Sequence, residues 1–390
     1  MIPYGRQQID DDDCQAVVAA LRSDFLTQGP AVERFERAFA QRVQVGHALA
    51  VNSATSALHL ACLALGVGPG DRVWTSPNSF VASAICARYC GASVDFVDID
   101  RASLNLCPQA LAAKLEQAER SGTLPKVVIP VHFGGEPCDM AAIAALAARY
   151  GFAVIEDASH AVGGQYRGEP IGNCRYSAIS VFSFHPVKII TTAEGGVATI
   201  NDAQLAQKML QLRSHGITRD PALLQQSDEG PWYYEQQQLG FNYRLTDLQA
   251  ALGLSQLAKL DTFIERRQQL RQGYQQLLAG LPLQLQQQDA ANLSANHLLV
   301  IRLGDDACLT RRQLFEALRA ADIGVNVHYI PIYWQPDFAA LGFARGHCPN
   351  AEWYYQGAIS LPLYPGLAAQ QQHAICQQLA ALLSDNNKGR

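Results

Sequence analysis

Short apolar segments of strand length alternate with longer amphipathic segments through the first two-thirds of this 390-residue chain. Apolar runs bounded by turn residues are typical of buried strands, whereas apolar residues three or four positions apart are typical of helices. This alternation predicts an α/β fold with a parallel or mixed sheet, because the connecting helices cover the faces of the sheet. The predicted strands are Ala48–Val51, Arg72–Thr75, Val94–Val97, Lys126–His132, Ala153–Glu156, Ala178–Phe182 and Gly196–Ile200.

Beyond the last of these strands the pattern changes. A Gln-rich tract with leucine and isoleucine at near-helical spacing runs from Arg244 through Leu278. It is followed by a predicted strand at His297–Leu303 and a predicted helix at Arg311–Ala321. We therefore expect a second, smaller α/β unit at the C-terminal end. The expected domains are residues 1–245, with a large mixed sheet, and residues 246–390.

Composition argues against several classes of protein. The formal net charge is −5, and the 30 basic residues are scattered among 35 acidic ones, so that no basic surface for nucleic acid or anionic membrane is indicated. The chain contains no apolar run of about 18 residues, the length that crosses a membrane. Its first residues run into the acidic segment Asp10–Asp13, unlike a signal peptide, and we expect a cytoplasmic protein. Ten dispersed cysteines form no CxxC pair and predict reduced thiols rather than a metal site.

A polar, glycine-ended loop between the last two predicted strands contains Lys188. A lysine in such a loop is often only a solvated surface residue. The functional alternative is a lysine that forms a Schiff base, which requires a neutral amine and therefore a partly desolvated position. Residues 183–196 are thus the first candidate for a catalytic segment.

The predicted strand that begins at Ala153 ends in two carboxylates, Glu156 and Asp157. Aspartate suits turns, so a strand can end there for purely structural reasons. Pyridoxal phosphate (PLP) chemistry, however, requires an acid beside the pyridine nitrogen, which keeps the ring protonated and able to accept electrons. Asp157 could serve in this role, with His160 beside the phenolic oxygen of the ring.

The first predicted strand is followed by small and hydroxyl-bearing residues, Asn52–Ser56, where a helix begins. A helix start of this composition is also an ordinary N-cap. Its free N–H groups and the positive end of the helix dipole nevertheless make a suitable phosphate site. Each of the three signals is moderate alone, and their combination in this chain order is far more specific.

Together these segments resemble the DegT-type sugar-nucleotide aminotransferases along essentially the whole chain. The matching segments are Asn52–Leu58, Glu156–Ala161, Phe182–Lys188, Glu194–Gly196 and Gly240–Arg244. The resemblance implies PLP fold type I, the aspartate aminotransferase fold, with PLP as cofactor and no metal. It further implies a homodimer with shared active sites. The implied cofactor-binding residues are Lys188 as the covalent anchor, Asp157 at the pyridine nitrogen, Phe80 stacked on the ring, His160, the phosphate ligands Ala54, Thr55 and Ser183, and Asn242 from the neighbouring subunit.

Three positions depart from the family pattern. Ala54 stands where many members have glycine in the phosphate turn, a change that backbone amides can absorb. The ring-stacking residue is Phe80 rather than a larger aromatic, which preserves stacking. Asn296 stands where an aromatic residue is expected, which concerns local packing rather than catalysis.

Within the family, the sequence most resembles the aminotransferases of the pseudaminic acid pathway. These aminate C4 of a UDP-linked 2-acetamido-2,6-dideoxy-β-L-arabino-hexos-4-ulose with L-glutamate as amino donor. The residues expected to contact the substrate are Tyr4, Leu26, Thr27, His185, His328 and Tyr329. The catalytic set is shared by enzymes that act on other nucleotide-linked 3- or 4-ketohexoses, of the bacillosamine, perosamine or aminoarabinose type, so these substrates stay open.

Three other functions are less consistent with the sequence. Some relatives replace the lysine with histidine and dehydrate sugars, and Lys188 argues against that chemistry. A non-catalytic regulatory protein that binds PLP would have no reason to retain both Lys188 and Asp157. A dinucleotide-binding dehydrogenase requires a GxGxxG turn after the first strand, which Asn52–Ser56 does not provide.

Overall fold

The computed structural model describes residues 1–226 and 229–384, and no helix in these ranges combines the length and apolar character needed to span a membrane. The strands are β1 (His47–Val51), β2 (Arg72–Thr75), β3 (Ser93–Phe96), β4 (Val127–Ile129), β5 (Ala153–Asp157), β6 (Gln165–Tyr166), β7 (Glu169–Pro170), β8 (Ile179–Ser183), β9 (Gly196–Ile200), β10 (Ile217–Thr218), β11 (Glu235–Gln236), β12 (Leu283–Leu285), β13 (Leu299–Leu303) and β14 (Ala358–Leu361). The α-helices are α1 (Asp11–Leu21), α2 (Pro30–Val43), α3 (Ala54–Ala64), α4 (Ala82–Tyr89), α5 (Pro108–Ser121), α6 (Met140–Tyr150), α7 (Ala203–Arg213), α8 (Asp247–Ala258), α9 (Leu260–Leu277), α10 (Arg311–Ala320), α11 (Pro336–Ala339), α12 (Pro349–Gly357) and α13 (Ala369–Ser384).

All seven strands predicted for the first part of the chain belong to one sheet, in the order β1-β9-β8-β5-β4-β2-β3. The pairs β2–β3, β2–β4, β4–β5 and β5–β8 are parallel, whereas β9 runs antiparallel to both β1 and β8. The predicted mixed sheet is therefore confirmed. Strand β4 is shorter than predicted and ends at Ile129, because Pro130 has no N–H to continue the hydrogen-bond ladder.

Helices cover both faces of this sheet. Successive residues of β1 point to opposite faces, so Leu49 and Val51 join one buried cluster, together with residues of α3. Ala48 and Ala50 join the other, which contains Phe35 and other residues of α2. Burial on both faces explains why these strands read as continuous apolar runs rather than as alternating ones.

The C-terminal part forms a separate antiparallel sheet, β12-β13-β14, which packs with α9, α10 and α13 around its own buried cluster. The predicted strand and helix of this part are present as β13 and α10. The Gln-rich tract is divided into two helices on either side of Lys259: α8 packs against α1 and α2, whereas α9 packs against α13. The domain boundary at residues 245 and 246 stays a prediction.

Candidate active site

A cavity of about 630 Å³ lies at the carboxyl ends of the central parallel strands. Its walls come from the segments that follow β2, β4, β5 and β8, from the start of α3, and from two distant pieces of chain, Tyr4 and residues 326–330. The carboxyl edge of a parallel sheet is where ligands of α/β proteins usually bind, because the loops after several strands meet there.

The cavity brings together all but three of the residues predicted from the sequence. Those that line it are Tyr4, Ala54, Thr55, Phe80, Asp157, His160, Ser183, His185, Lys188, His328 and Tyr329. The other three lie elsewhere in the single chain: Leu26 is exposed, Thr27 pairs with Thr246, and Asn242 is exposed and pairs with Ser214. The functional roles of these three residues stay predictions.

The start of α3 forms one end of the cavity. The side chain of Ser53 caps this helix by accepting a hydrogen bond from the N–H of Ser56 at 3.1 Å. The N–H groups of Ala54 and Thr55, which line the cavity, have no acceptor within the helix. A Cβ atom on Gly196 would lie 2.6 Å from the nitrogen of Ala54, so only glycine lets β9 pass this close. The site suits a phosphate group held by backbone N–H groups, and alanine at position 54 does not impair it.

Lys188 lies in the loop between β8 and β9. The loop is held by backbone hydrogen bonds, from Lys188 N to His185 O at 2.9 Å and from Thr192 N to Phe184 O at 3.0 Å. Burial lowers the pKa of the Lys188 amine to about 8, and the nearby negative charge of Asp157 only partly opposes this effect. A useful fraction of the amine is therefore neutral near neutral pH, as a Schiff-base lysine requires.

Asp157 is the last residue of β5, and its carboxylate is buried and held from both sides. Oδ1 accepts a hydrogen bond from the N–H of Ser159 at 3.1 Å, and Oδ2 accepts one from the hydroxyl of Ser83 at 2.6 Å. Because both oxygens are engaged, the carboxylate has one fixed orientation at the cavity wall. Ser83, on α4, was not identified from the sequence.

His160 is buried beside Asp157, and the position of its proton follows from its neighbours. Nδ1 lies 3.3 Å from the N–H of Gly134, which donates to it, so the proton of the neutral ring is on Nε2. That nitrogen lies 3.2 Å from the hydroxyl of Tyr329. Burial, together with the positive charge of Lys188, holds the pKa of His160 well below its usual value. The ring is therefore a neutral hydrogen-bond donor.

The wall formed by Tyr4 and residues 326–330 is aromatic and uncharged. The rings of Tyr4 and His328 lie 5.5 Å apart, and Nδ1 of His328 lies 2.7 Å from the hydroxyl of Ser360. Burial lowers the pKa of His328 to about 3, so this ring is neutral as well. Phe80 also borders the cavity and leaves 59% of its surface exposed, which makes a flat apolar face available to a bound ring.

Sequence reasoning missed several polar residues of the cavity, namely Ser79, Glu194, Asn326 and Gln335. Two of these residues, Glu194 and Ser79, could have been identified from the sequence. Glu194 belongs to the loop that contains Lys188, and Ser79 precedes Phe80 directly. Asn326 and Gln335 come from the segment around residues 326–335, whose position over the large sheet is set by tertiary packing.

The residues of this cavity fit PLP. A helix start with free N–H groups suits the phosphate, a buried carboxylate suits the pyridine nitrogen, an exposed aromatic face suits the ring, and a lysine of lowered pKa suits the aldehyde. The fold and the site together define a PLP-dependent aminotransferase of fold type I.

Comparison with known proteins identifies the family. A family model for the DegT/DnrJ/EryC1/StrS aminotransferases matches residues 7–380. The spore coat polysaccharide biosynthesis protein SpsC of Bacillus subtilis is 40% identical over 373 residues, which cover 94% of this chain and 93% of SpsC. Helicobacter pylori PseC, an aminotransferase involved in the biosynthesis of pseudoaminic acid, has a TM-score of 0.89 and 30% identity, over 98% of this chain and 99% of PseC. Spr1654 of Streptococcus pneumoniae in its PMP form has a TM-score of 0.89 and 28% identity, over 98% of this chain and 99% of Spr1654.

The chain therefore belongs to the DegT/DnrJ/EryC1/StrS aminotransferase family, and it is a sugar aminotransferase. The family, the fold class, the enzyme class and PLP as cofactor, all predicted from the sequence, are confirmed.

Proposed function

We propose that this enzyme transfers the amino group of L-glutamate to C4 of a UDP-linked 2-acetamido-2,6-dideoxy-β-L-arabino-hexos-4-ulose, a step of pseudaminic acid biosynthesis. The observation that carries the proposal is one cavity with two different walls: Lys188 and Asp157 on the sheet side, and Tyr4, His328 and Tyr329 facing them. The likeness to PseC along almost the whole of both chains supports this substrate class.

Lys188 is proposed as the residue that moves the proton. When bound, PLP supplies an electron sink for the negative charge that develops at the carbon losing its proton. The neutral amine of Lys188 takes this proton and returns it at the other end of the reacting system, which sets the configuration of the new C–N centre. A pKa of about 8 suits both directions, since neither form of the amine is rare near neutral pH.

The other cavity residues are proposed to hold and orient. Asp157 keeps positive charge on the pyridine nitrogen, and Phe80 covers one face of the ring. The N–H groups of Ala54 and Thr55, with the hydroxyl of Ser183, bind the phosphate. These residues would thereby hold cofactor and substrate in one orientation before any bond is broken.

The uncharged wall is proposed to select the sugar. His328 is neutral, so it presents hydrogen-bonding groups without charge to hydroxyl and acetamido groups of the substrate. His160, with its proton on Nε2, is proposed to lie beside the phenolic oxygen of PLP instead. Tyr4 and Tyr329 add aromatic surface and a hydroxyl each. His185 is exposed at the rim of the cavity, where the nucleotide would enter.

A second substrate class is favoured by a different observation. SpsC, which takes part in spore coat polysaccharide biosynthesis, has 40% sequence identity to this chain over the aligned residues, whereas PseC has 30%. An aminotransferase for another nucleotide-linked 3- or 4-ketohexose is therefore the alternative.

The deciding experiment is a panel of enzymatically generated keto-sugar nucleotides, each incubated with the holoenzyme and L-glutamate. We expect the UDP-linked 4-keto-6-deoxy-N-acetylhexosamine of L-arabino configuration to give the highest kcat/KM. NMR of the product identifies the aminated carbon and its configuration. The C5 epimer of this substrate, which has the same groups in another arrangement, is the matched control. A preference for a 3-keto or a GDP-linked sugar would contradict the proposed substrate and leave the aminotransferase assignment intact.

We also propose that the enzyme is a homodimer whose active sites are shared. Asn242 is exposed and lies outside the cavity of its own chain, which fits a role in the site of a second copy. The neighbouring segment leaves two large apolar residues in solvent, Trp232 with 71% and Leu239 with 80% of their surface exposed. Exposed apolar residues of this size favour burial in an interface.

Shared sites can be tested with hybrid dimers. Asn242→Ala and Lys188→Ala should each be inactive as homodimers. After exchange of subunits, a mixed dimer has one site that combines an intact Lys188 with Asn242 of the partner subunit, so that up to about a quarter of the wild-type activity should return. Mixing Lys188→Ala with Asp157→Ala is the control, because the symmetry then predicts no intact site. Exchange demonstrated by mass without any return of activity would contradict the proposal.

A further inference from the structure

Two buried serines, Ser79 and Ser83, form a chain of hydrogen bonds that ends at the carboxylate of Asp157. The hydroxyl of Ser83 lies 2.6 Å from Oδ2 of Asp157 and 2.7 Å from the hydroxyl of Ser79. Ser83 is fully buried, whereas Ser79 borders the cavity. Ser83 is the second residue of α4, and Ser79 lies in the segment that leads into this helix.

The direction of these hydrogen bonds follows from the number of protons. An ionised carboxylate only accepts, so Ser83 gives its single hydroxyl proton to Asp157, and Ser79 must then donate to Ser83. The carbonyl of Phe80, at 3.4 Å, is a poorer acceptor for Ser83. A short O–H···O⁻ contact is among the stronger hydrogen bonds in proteins, because the acceptor is charged.

We propose that Ser83 is a positioning residue for the amino transfer: its hydroxyl, opposite the N–H of Ser159, fixes the carboxylate of Asp157 in the orientation that keeps positive charge on the pyridine nitrogen. This inference rests on the role of Asp157 given under the proposed function. Without Ser83 the carboxylate is held through Oδ1 alone and can rotate about its Cβ–Cγ bond. The ring nitrogen then loses part of its counter-charge, although Asp157 is still present.

The test uses the holoenzyme with Ser83→Ala and Ser83→Cys. Alanine removes the donor, and cysteine nearly retains the shape while its thiol donates only weakly. Thr75→Val is the matched control, since the buried hydroxyl of Thr75 donates to the carbonyl of Ile129 at 2.8 Å and does not contact Asp157. The other titratable groups that line the cavity are unchanged in these variants; they are Lys188, His160, Tyr329, His328, Tyr4, His185 and Glu194.

The first readout is the pH midpoint of the absorbance at about 420 nm, which reports the protonated linkage between Lys188 and PLP. Positive charge on the ring disfavours protonation of this linkage. Both Ser83 variants should reduce that positive charge and so raise the pH midpoint, by about one pH unit if a hydrogen bond to a charged group is lost. We expect kcat to fall about ten-fold, with KM for the keto-sugar changed less than about two-fold. The dissociation constant of PLP and the Tm of the apoenzyme are measured alongside.

A purely structural serine would lower Tm without moving the midpoint, as Thr75→Val is expected to do. An unchanged midpoint in Ser83→Ala and Ser83→Cys would overturn the inference. Asp157→Ala in the same titration distinguishes a failure of the role of Ser83 from a failure of the role of Asp157. If Asp157→Ala moves the midpoint and the Ser83 variants do not, only the role of Ser83 fails; if Asp157→Ala leaves it unmoved, the proposed role of Asp157 fails first.

Discussion

Replacing Lys188 with alanine should lower kcat by at least about four orders of magnitude, because the covalent attachment of the cofactor and the proton transfer depend on the same amine. The variant should bind PLP only non-covalently, so the absorbance at about 420 nm should be missing and borohydride should leave no pyridoxyl group on the protein. Single-turnover kinetics and the mass of the reduced protein measure both effects.

A matched control for this variant is Lys208→Ala. Lys208, on α7, is also partly buried, and its amine donates to the carbonyl of Ala64 at 2.9 Å, but it does not line the cavity. Activity and absorbance should stay at the wild-type level in this control. Retention of near-normal turnover in Lys188→Ala would contradict the assignment of the catalytic lysine.

The lowered pKa of Lys188 adds a pH signature to the same prediction. Only the neutral amine attacks the aldehyde of PLP, so the rate at which the apoenzyme captures PLP should rise with pH and level off above about 8. A lysine without the desolvation would continue to gain reactivity up to about pH 10.4. Stopped-flow absorbance distinguishes the two profiles, and Lys188→Ala gives the baseline.

The large sheet was predictable because its strands are buried on both faces. Continuous apolar runs such as Ala48–Val51 and Val127–Ile129 stand out in the sequence for that reason. Their order in the sheet and the antiparallel direction of β9 were not predictable, since they depend on contacts between residues far apart in the chain. The end of β4 at Ile129 could have been predicted from Pro130.

The division of the Gln-rich tract depends on tertiary packing. No glycine or proline marks the position of Lys259, which separates the end of α8 at Ala258 from the start of α9 at Leu260. The two helices face different partners, and the amine of Lys259 forms ion pairs with Asp10 and Asp13 of the N-terminal segment. A local pattern contains no information about such partners, so a single helical tract was the natural prediction.

The site was predictable where chemistry and position coincide in a short segment. Lys188 and Asp157 each lie at the carboxyl edge of a predicted strand, and the topology alone brings such residues together. Ser83 is different, because its significance arises only from a 2.6 Å contact with a residue 74 positions away. A serine inside an apolar helix start gives no sign of its acceptor in the sequence.

Asp157 variants should show the second-largest effect. Asp157→Ala should lower kcat by about two to three orders of magnitude and weaken PLP binding much less, because charge stabilisation at the ring is lost while the phosphate and Lys188 contacts remain. Alanine has a further consequence, since it leaves the hydroxyl of Ser83 buried without its acceptor, which costs about 1–3 kcal/mol of stability. A loss of activity in this variant alone therefore combines two causes.

Asp157→Asn separates these causes. The asparagine oxygen can accept from the N–H of Ser159 while its amide group donates to the hydroxyl of Ser83, which can turn its own proton to Ser79. Stability should therefore be close to wild type, but the side chain carries no negative charge to hold a proton on the pyridine nitrogen. We expect kcat nearly as low as in the alanine variant, with Tm within a few degrees of wild type. Asp202→Asn, at the N-cap of α7 and outside the cavity, is the control for the same chemical change. Transamination by Asp157→Asn at the wild-type rate would mean that Asp157 only terminates β5. A stable but inactive protein would show that the reaction requires the charge of Asp157 in addition to the hydrogen bonds that orient it.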